Sequence, residues 1–246
     1  MLTDYDAIAT QYRRAKGQPW RTAIESFTLM GLVGDLTGKA VVDLACGEGF
    51  YTRRLRRQGA ERVVGVDLSG AMIALARAEE AEHPSGIDYL VQDVSGHTLA
   101  AEFDLAVAAY LLNYARDRSE LGAMCRGVAR CLKPGGRFVT VNTNPALDFG
   151  AAPSYRQYGF ETGVEGELVE GTPITWTFHL EDGSSVRLEN YHLGVEAHEE
   201  ALRAAGFREV RWHRPRVSPQ GESPSDLGHW ECFLGHPPVI FLECVK

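Results

Sequence analysis

The sequence is poor in several features whose absence narrows its possible roles. No apolar run approaches the roughly 20 residues that a membrane-spanning helix requires. The opening stretch, "MLTDYDAIATQYRRAKG", lacks the apolar segment of an export signal. An unexported, cytoplasmic chain with no membrane partner is expected. Cysteine is scarce and scattered, at 46, 125, 131, 232 and 244. The number is odd, and there is no CxxC pair and no histidine at zinc spacing, which argues against a disulfide framework and leaves no metal site to expect. Reduced thiols suit a cytoplasm. Positive charge is short as well: 25 lysines and arginines face 33 acids, for a net charge of -8. That balance disfavours nucleic acid and anionic membranes as partners. The one basic cluster, Arg53, Arg54, Arg56 and Arg57, reads as a solvated helix face.

What is present is regular. At 246 residues and 44% hydrophobic content the chain can bury one sizeable core, so one compact domain is expected. Between 40 and 140, short β-branched runs alternate with helix-like segments. "KAVVDLA", "RVVGVDLS", "IDYLVQDV", "FDLAVAAYLL" and "GRFVTVNTN" read as strands, while 49–58, 70–82 and 117–131 read as helices. Such alternation predicts an α/β fold, a doubly wound parallel sheet with helices on both faces. Ser69 is placed as the N-cap of the helix that follows it. "KPGG" at 133–136 is expected to stop a helix and turn tightly into the next strand. Residues before 38 look helical. After 145, "TPITWTFHL", the turn "EDGSS" and "VRLENYHL" predict a β-hairpin, an insertion in the second half of the sheet. Helix and strand return in "EEALRAAGFREVRWHRPRV", and "PPVIFLECVK" reads as a last strand.

The stretch "VVDLACGEGFYTRRL" at 41–55 carries the chemistry. In a doubly wound sheet, ligands bind beyond the carboxyl ends of the strands where their order reverses. Gly47 and Gly49 would let the backbone approach a ligand where a Cβ would collide. Asp67 ends the next strand about 20 residues on, where a carboxylate reaches ribose hydroxyls. A dinucleotide and S-adenosylmethionine both fit to this point. A dinucleotide fingerprint needs a third glycine where this chain has Thr52. Asp43 and Glu48 would repel a pyrophosphate, and they suit a cationic group instead. "QDV" places Asp93 after a third strand, where its carboxylate and the Val94 N–H could meet an adenine edge.

With "VVDLACGEG", "VVGVDLS", "VQDV", "FDLAVAAYLLNY" and "LKPGG" in this order, the chain resembles class I S-adenosylmethionine-dependent methyltransferases over nearly its whole length. Ala45 stands where many members carry glycine. The resemblance implies a Rossmann-like, mostly parallel seven-stranded sheet with an N-terminal helical cap (1–37). A cofactor-binding half (38–145), a substrate-side insertion (146–195) and the remainder of the sheet (196–246) would follow. It implies S-adenosylmethionine as cofactor, S-adenosylhomocysteine as its product, and transfer to a small-molecule acceptor. Asp43, Ala45, Gly47 and Gly49 would lie near the methionine part, Asp67 on ribose, Leu68 and Met72 beside the base, and Asp93 with Val94 at the adenine. Tyr110 would pass near the sulfonium, and Tyr5 and Tyr12 resemble tyrosines that close the N-terminal segment over the cofactor.

For the acceptor, Asn113, Asn142 and Asn144 offer neutral polar groups at the ligand edge. Trp20, Trp176 and Tyr191 offer aromatic surface, although core packing is the better reading of the face that Trp176 shares with Phe178. No catalytic residue can be named from the sequence; His179 and His192, in the insertion, are the weak candidates, each more readily a surface or core histidine. "YDAIATQYRRAKGQPWR", "DLACGEGFYTR", "YLLNYA" and "VTVNTNP" are similar to toxoflavin-type N-methyltransferases, which act on azapteridine rings. Two alternatives stay open: an O-methyltransferase of another natural-product pathway, and a non-catalytic S-adenosylmethionine-binding sensor or scaffold.

Overall fold

The computed structural model describes residues 17–219 and 228–246. Seven strands build the main sheet: β1 (Ala40–Leu44), β2 (Arg62–Asp67), β3 (Ile87–Val91), β4 (Phe103–Ala109), β5 (Leu132–Thr143), β9 (Glu209–His213) and β10 (Val239–Val245). Their order is β3-β2-β1-β4-β5-β10-β9. β1 to β5 pair in parallel, and β10 runs antiparallel to both of its neighbours. Strand order reverses between β1 and β4, so a crevice opens there at the carboxyl edge. The expected α/β sheet is therefore present.

The central strands lack polar alternation because both faces are covered. Val41, Leu105, Val107 and Val139 enter one core with Tyr51, Leu55, Ile73 and the N-terminal Leu29 and Val33. Val42, Ala106, Ala108 and Phe138 enter the other with Leu121, Cys125, Val128 and Leu202. The helices responsible are α1 (Phe27–Val33), α2 (Phe50–Arg57), α3 (Gly70–Glu82), α4 (Arg118–Cys131), α5 (Val195–Ala204) and the short α6 (Glu231–Gly235). Ser69 caps α3 as expected, its Oγ accepting the Met72 N–H at 3.1 Å. A π-helical turn, Arg21–Ser26, leads directly into α1. Among the described residues no helix is long and apolar enough to cross a membrane.

"KPGG" ends α4 and turns as expected, inside an irregular start of β5: Leu132 pairs with Phe103 and Arg137 with Leu105, so residues 133–136 bulge between the two pairs. Gly135 takes φ +77° in this bulge, and its N–H reaches Lys246 O at 3.0 Å. Two expectations need correction. The expected hairpin exists as β7 (Pro173–His179) and β8 (Ser185–Tyr191), but a third strand, β6 (Phe160–Val164), pairs with β7 to make a separate antiparallel sheet. Its buried face carries Phe160, Ile174, Trp176, Phe178, Val186 and Leu188. The arginine cluster is not a solvated face either. Arg53 bonds Glu48, Arg54 bonds Ser26 Oγ at 2.8 Å, and Arg56 bonds Ser85 O at 2.7 Å, which leaves Arg57 exposed.

Candidate functional site

A cleft of about 400 Å³ opens at the carboxyl ends of β1, β2 and β4 and beside the loop after β3. Its first wall is the turn after β1. Asp43, Ala45, Cys46 and Gly47 line it. The Cys46 N–H bonds Val66 O at 3.0 Å, and Ala45 and Gly47 both take left-handed backbone, with φ +58° and +56°. For alanine that conformation is strained. Asp43 Oδ2 accepts the Thr52 hydroxyl at 2.6 Å, so the residue in place of a third glycine has a use of its own. Glu48 pairs with Arg53 at 2.7 Å. The expected crowding of negative charge thus rests on Asp43, because Arg53 neutralises Glu48 within the loop.

The second wall is the exit of β2. Asp67 Oδ2 accepts the Gly47 N–H at 2.7 Å and Oδ1 accepts the Ser69 N–H at 2.8 Å, which ties the first two walls together. Leu68 stands 70% exposed beside it, and Met72 of α3 lies behind. The third wall is the loop after β3 with the face of α4, where Asp93, Val94 and Ser95 meet Ala123 and Met124. Asp93 Oδ1 caps the Ser95 N–H at 2.7 Å. Helix α4 can lie on this loop because residue 127 is glycine; a Cβ there would come within 2.1 Å of Val94 O.

The fourth wall was not foreseen, apart from Tyr110. Arg21 and Glu25 of the π-helical turn and Tyr51 of α2 line the cleft with Tyr110, the residue after β4. Glu25 is 1% exposed. It accepts the Tyr51 hydroxyl at 2.6 Å, an Arg21 Nη1 hydrogen at 2.9 Å and the Tyr110 hydroxyl. Burial, with the Glu25 charge beside them, pushes both phenols well above their usual range. Tyr110 itself has φ +66°, fixed by its N–H on Val141 O at 2.8 Å. The available sequence signal was an Arg and a Glu four residues apart in the otherwise apolar "WRTAIESFTLMGLV".

Nine of the twelve cofactor candidates therefore line one cleft: Asp43, Ala45, Gly47, Asp67, Leu68, Met72, Asp93, Val94 and Tyr110. Tyr5 and Tyr12 lie outside the described residues. Gly49 does not line the cleft. It has φ +83°, and a Cβ on it would meet Tyr89 Oη at 2.4 Å, so packing explains this glycine better than ligand approach does.

None of the six substrate candidates lines the cleft. Trp20 is buried at 1% exposure against Phe160 and Phe233, with ring centres 5.0 and 5.6 Å away. Trp176 stacks on Phe160 at 5.2 Å. Asn142 accepts the Leu112 N–H, Asn144 bonds Pro237 O, and Tyr191 donates to Glu189. Asn113 is buried, and neither of its amide atoms has a partner among the described residues. Of the two histidines, His179 bonds Glu161 Oε2 at 2.9 Å across strands β6 and β7, and burial lowers the pKa of His192. Neither lines the cleft.

Comparison with known proteins agrees with this geometry. A family described as a methyltransferase domain matches residues 41–136. An N-demethylindolmycin N-methyltransferase of Streptomyces griseus is 30% identical over 175 residues, covering 69% of this chain and 70% of that protein. A ubiquinone biosynthesis O-methyltransferase of Xanthomonas oryzae pv. oryzae is 36% identical over 118 residues, 46% of this chain and 47% of that one. Among solved structures, an S-adenosylmethionine-dependent methyltransferase from Mesorhizobium loti superposes with a TM-score of 0.63 at 25% identity, over 90% of this chain and 97% of its own.

Proposed function

The chain belongs to the S-adenosylmethionine-dependent methyltransferases, and from that premise we propose that it methylates a nitrogen of a small heterocyclic molecule. The cleft suits a nucleoside with a cationic tail: its volume lies in the range of small-molecule sites. Asp67, a carboxylate able to accept about four hydrogen bonds in all, takes the ribose hydroxyls. Leu68 and Met72 flank the base, and Asp93 and Val94 meet its polar edge. Asp43, Ala45 and Gly47 receive the cationic amino-acid end. S-adenosylmethionine, when bound, supplies an electrophilic methyl group on a positively charged sulfur. The protein's part is then to hold a nucleophile in line at near-attack distance in a site shielded from water, which removes much of the entropic barrier.

The observation that carries the choice of nitrogen is that, among the described residues lining the cleft, none is a histidine and each carboxylate, Glu25, Asp43, Asp67, Asp93 and Glu120, already accepts a hydrogen bond within the protein. A hydroxyl or a poorly ionised ring N–H gains from a base, whereas an amine or a pyridine-type ring nitrogen brings its own lone pair. The name of the Streptomyces griseus relative supports the same choice. The resemblance in "YLLNYA" and "VTVNTNP" makes an azapteridine ring the first acceptor to test. Purified protein is incubated with S-adenosylmethionine and a panel of azapteridines, N-demethylindolmycin, flavonoids and amines, and S-adenosylhomocysteine and product are followed by mass spectrometry. N-methylated product is expected. Methylation of flavonoid hydroxyls alone would overturn the nitrogen assignment.

A further inference from the structure

The wall formed by Arg21, Glu25, Tyr51 and Tyr110 differs in chemistry from the rest of the cleft. Elsewhere the lining holds carboxylates, apolar side chains, Ser95, Tyr114 and the solvent-facing Arg116–Glu120 pair. Here four polar side chains from three separate segments close on one another. A phenol has a single hydrogen, and Tyr51 and Tyr110 both give theirs to Glu25. Each phenolic oxygen therefore keeps only lone pairs for anything else. The Arg21 guanidinium neutralises Glu25 and is itself clamped, its central carbon 4.7 Å from the Trp20 ring, 5.1 Å from Phe178 and 5.7 Å from Tyr110. Among the described residues the cluster sets one guanidinium against one carboxylate, and toward a ligand its phenols can only accept hydrogen bonds.

Its cost to the fold indicates a use. A buried ion pair is weak as a source of stability, and an apolar wall of the same volume would serve the core as well. Glu25 also sits in a π-helical turn, and Tyr110 in left-handed backbone. Both are local irregularities that persist only where the surroundings over-determine them, and they concentrate at functional sites.

We infer that this cluster is the acceptor-recognition wall: the Tyr51 and Tyr110 oxygens receive an N–H of the molecule to be methylated, and Glu25 is the positioning residue that keeps both phenols in the accepting state. The inference rests on the nitrogen reading above and adds a rule to it. An amine nitrogen whose hydrogen is given to the wall has its lone pair directed away from the wall, into the cleft. A nitrogen carrying no hydrogen makes no such bond. Primary and secondary amines are therefore held; attack forms the N–C bond as the donor's C–S bond breaks and leaves an N-methylammonium, which gives its proton to water on release, and a nitrogen with no hydrogen left is not held again.

Two matched probes test this whatever the natural acceptor is: 7-azaindole, which carries a ring N–H, and 1-methyl-7-azaindole, which does not. Their binding to the protein saturated with S-adenosylhomocysteine is measured by NMR titration. The wild type is expected to favour 7-azaindole by about tenfold, the worth of one well-placed hydrogen bond. In Glu25→Gln the amide donates to one phenol and turns its hydroxyl outward, so the preference is expected to fall to about twofold or less. S-adenosylhomocysteine affinity stays within about threefold of wild type, less than one hydrogen bond's worth. Tyr110→Phe keeps the ring, removes one oxygen and reduces the preference in the same direction, which keeps the test valid if Glu25→Gln does not fold. No preference in the wild type, or a preference that survives both variants, overturns the inference. So does a loss of S-adenosylhomocysteine affinity with the preference intact, which would assign the wall to the cofactor's ammonium group. Failure of the wild type to bind S-adenosylhomocysteine at all would instead count against the cofactor assignment.

Discussion

Replacing Asp67 by alanine removes the acceptor for two backbone donors at once, the Gly47 N–H at 2.7 Å and the Ser69 N–H at 2.8 Å. Hydrogen bonds to a charged group contribute about 1.5–3 kcal/mol each. Asp67 is only half-buried, so water replaces part of the loss, and the folded state is expected to lose about 2–3 kcal/mol. Cofactor affinity falls further, because the ribose hydroxyls lose the same carboxylate: about 1.5–3 kcal/mol, which is roughly a 10- to 150-fold rise in Kd. Asp67→Asn separates the two effects. Its one carbonyl oxygen can satisfy one donor, while its NH₂ faces the other, so about half of the stability loss is expected with most of the affinity loss. Urea denaturation and calorimetric titration with S-adenosylhomocysteine measure the two quantities on the same samples. An unchanged Kd in either variant would refute the ribose assignment, and an unchanged urea midpoint in Asp67→Ala would refute the role in holding the glycine turn.

Gly49→Ala should lose about 2–4 kcal/mol, from left-handed backbone and from the Tyr89 oxygen 2.4 Å from the new methyl group. Adding Tyr89→Phe should restore the second part only, and strict additivity of the two variants in urea denaturation would contradict this account. His97 donates from Nε2 to Gly127 O at 2.9 Å and accepts the Leu99 N–H on Nδ1 at 3.2 Å, an arrangement that requires a neutral ring. Burial holds its pKa below the ordinary 6.5, so the unfolded chain takes up the proton first. Its contribution to stability is accordingly complete above about 6.5 and declines as the pH falls below that value. The drop in urea midpoint between pH 7.5 and 5.5 should be smaller in His97→Gln than in wild type, and an equal drop would dismiss His97 as a source. Of the five cysteines only Cys232 is exposed. Burial pushes the Cys125 and Cys131 thiols up to about 12. Native protein should therefore react with one equivalent of a thiol reagent at pH 8 and unfolded protein with five, as read by intact mass.

The parts of the fold that the sequence made legible are those whose causes are local. β1 and β2 are short apolar runs closed by an acid or a glycine turn, and the acid at each strand exit lies at a fixed offset from the run that carries it. For that reason Asp43, Asp67 and Asp93 were found together with the loops between them. Long-range causes left no comparable mark. "FETGV" holds a glycine and a glutamate and becomes β6 only because β7 offers it an edge. The bulge at "KPGG" is tied down by Lys246, more than a hundred residues away. The fourth wall of the cleft needs Glu25, Tyr51 and Tyr110 to meet, with separations of 26 and 85 residues. Trp20, read as surface for a ligand, lies in an aromatic core between the second sheet and α6, and Trp176 joins it there, as the core reading of its strand face expected. An aromatic ring in an alternating pattern looks the same in either setting.

The two ends of the cleft are written differently into the gene. The strand exits from Asp43 to Ser95 come from one uninterrupted stretch, and Asp67 ties two of its loops to each other, so a change at one position there disturbs its neighbours. The opposite wall adds Arg21, Glu25 and Tyr110, from outside that stretch, to Tyr51 within it. A lineage carrying this architecture can exchange residue 21 or 25 and acquire a new cargo with little disturbance of the strand exits. The same separation gives an engineer a natural boundary for a combinatorial library.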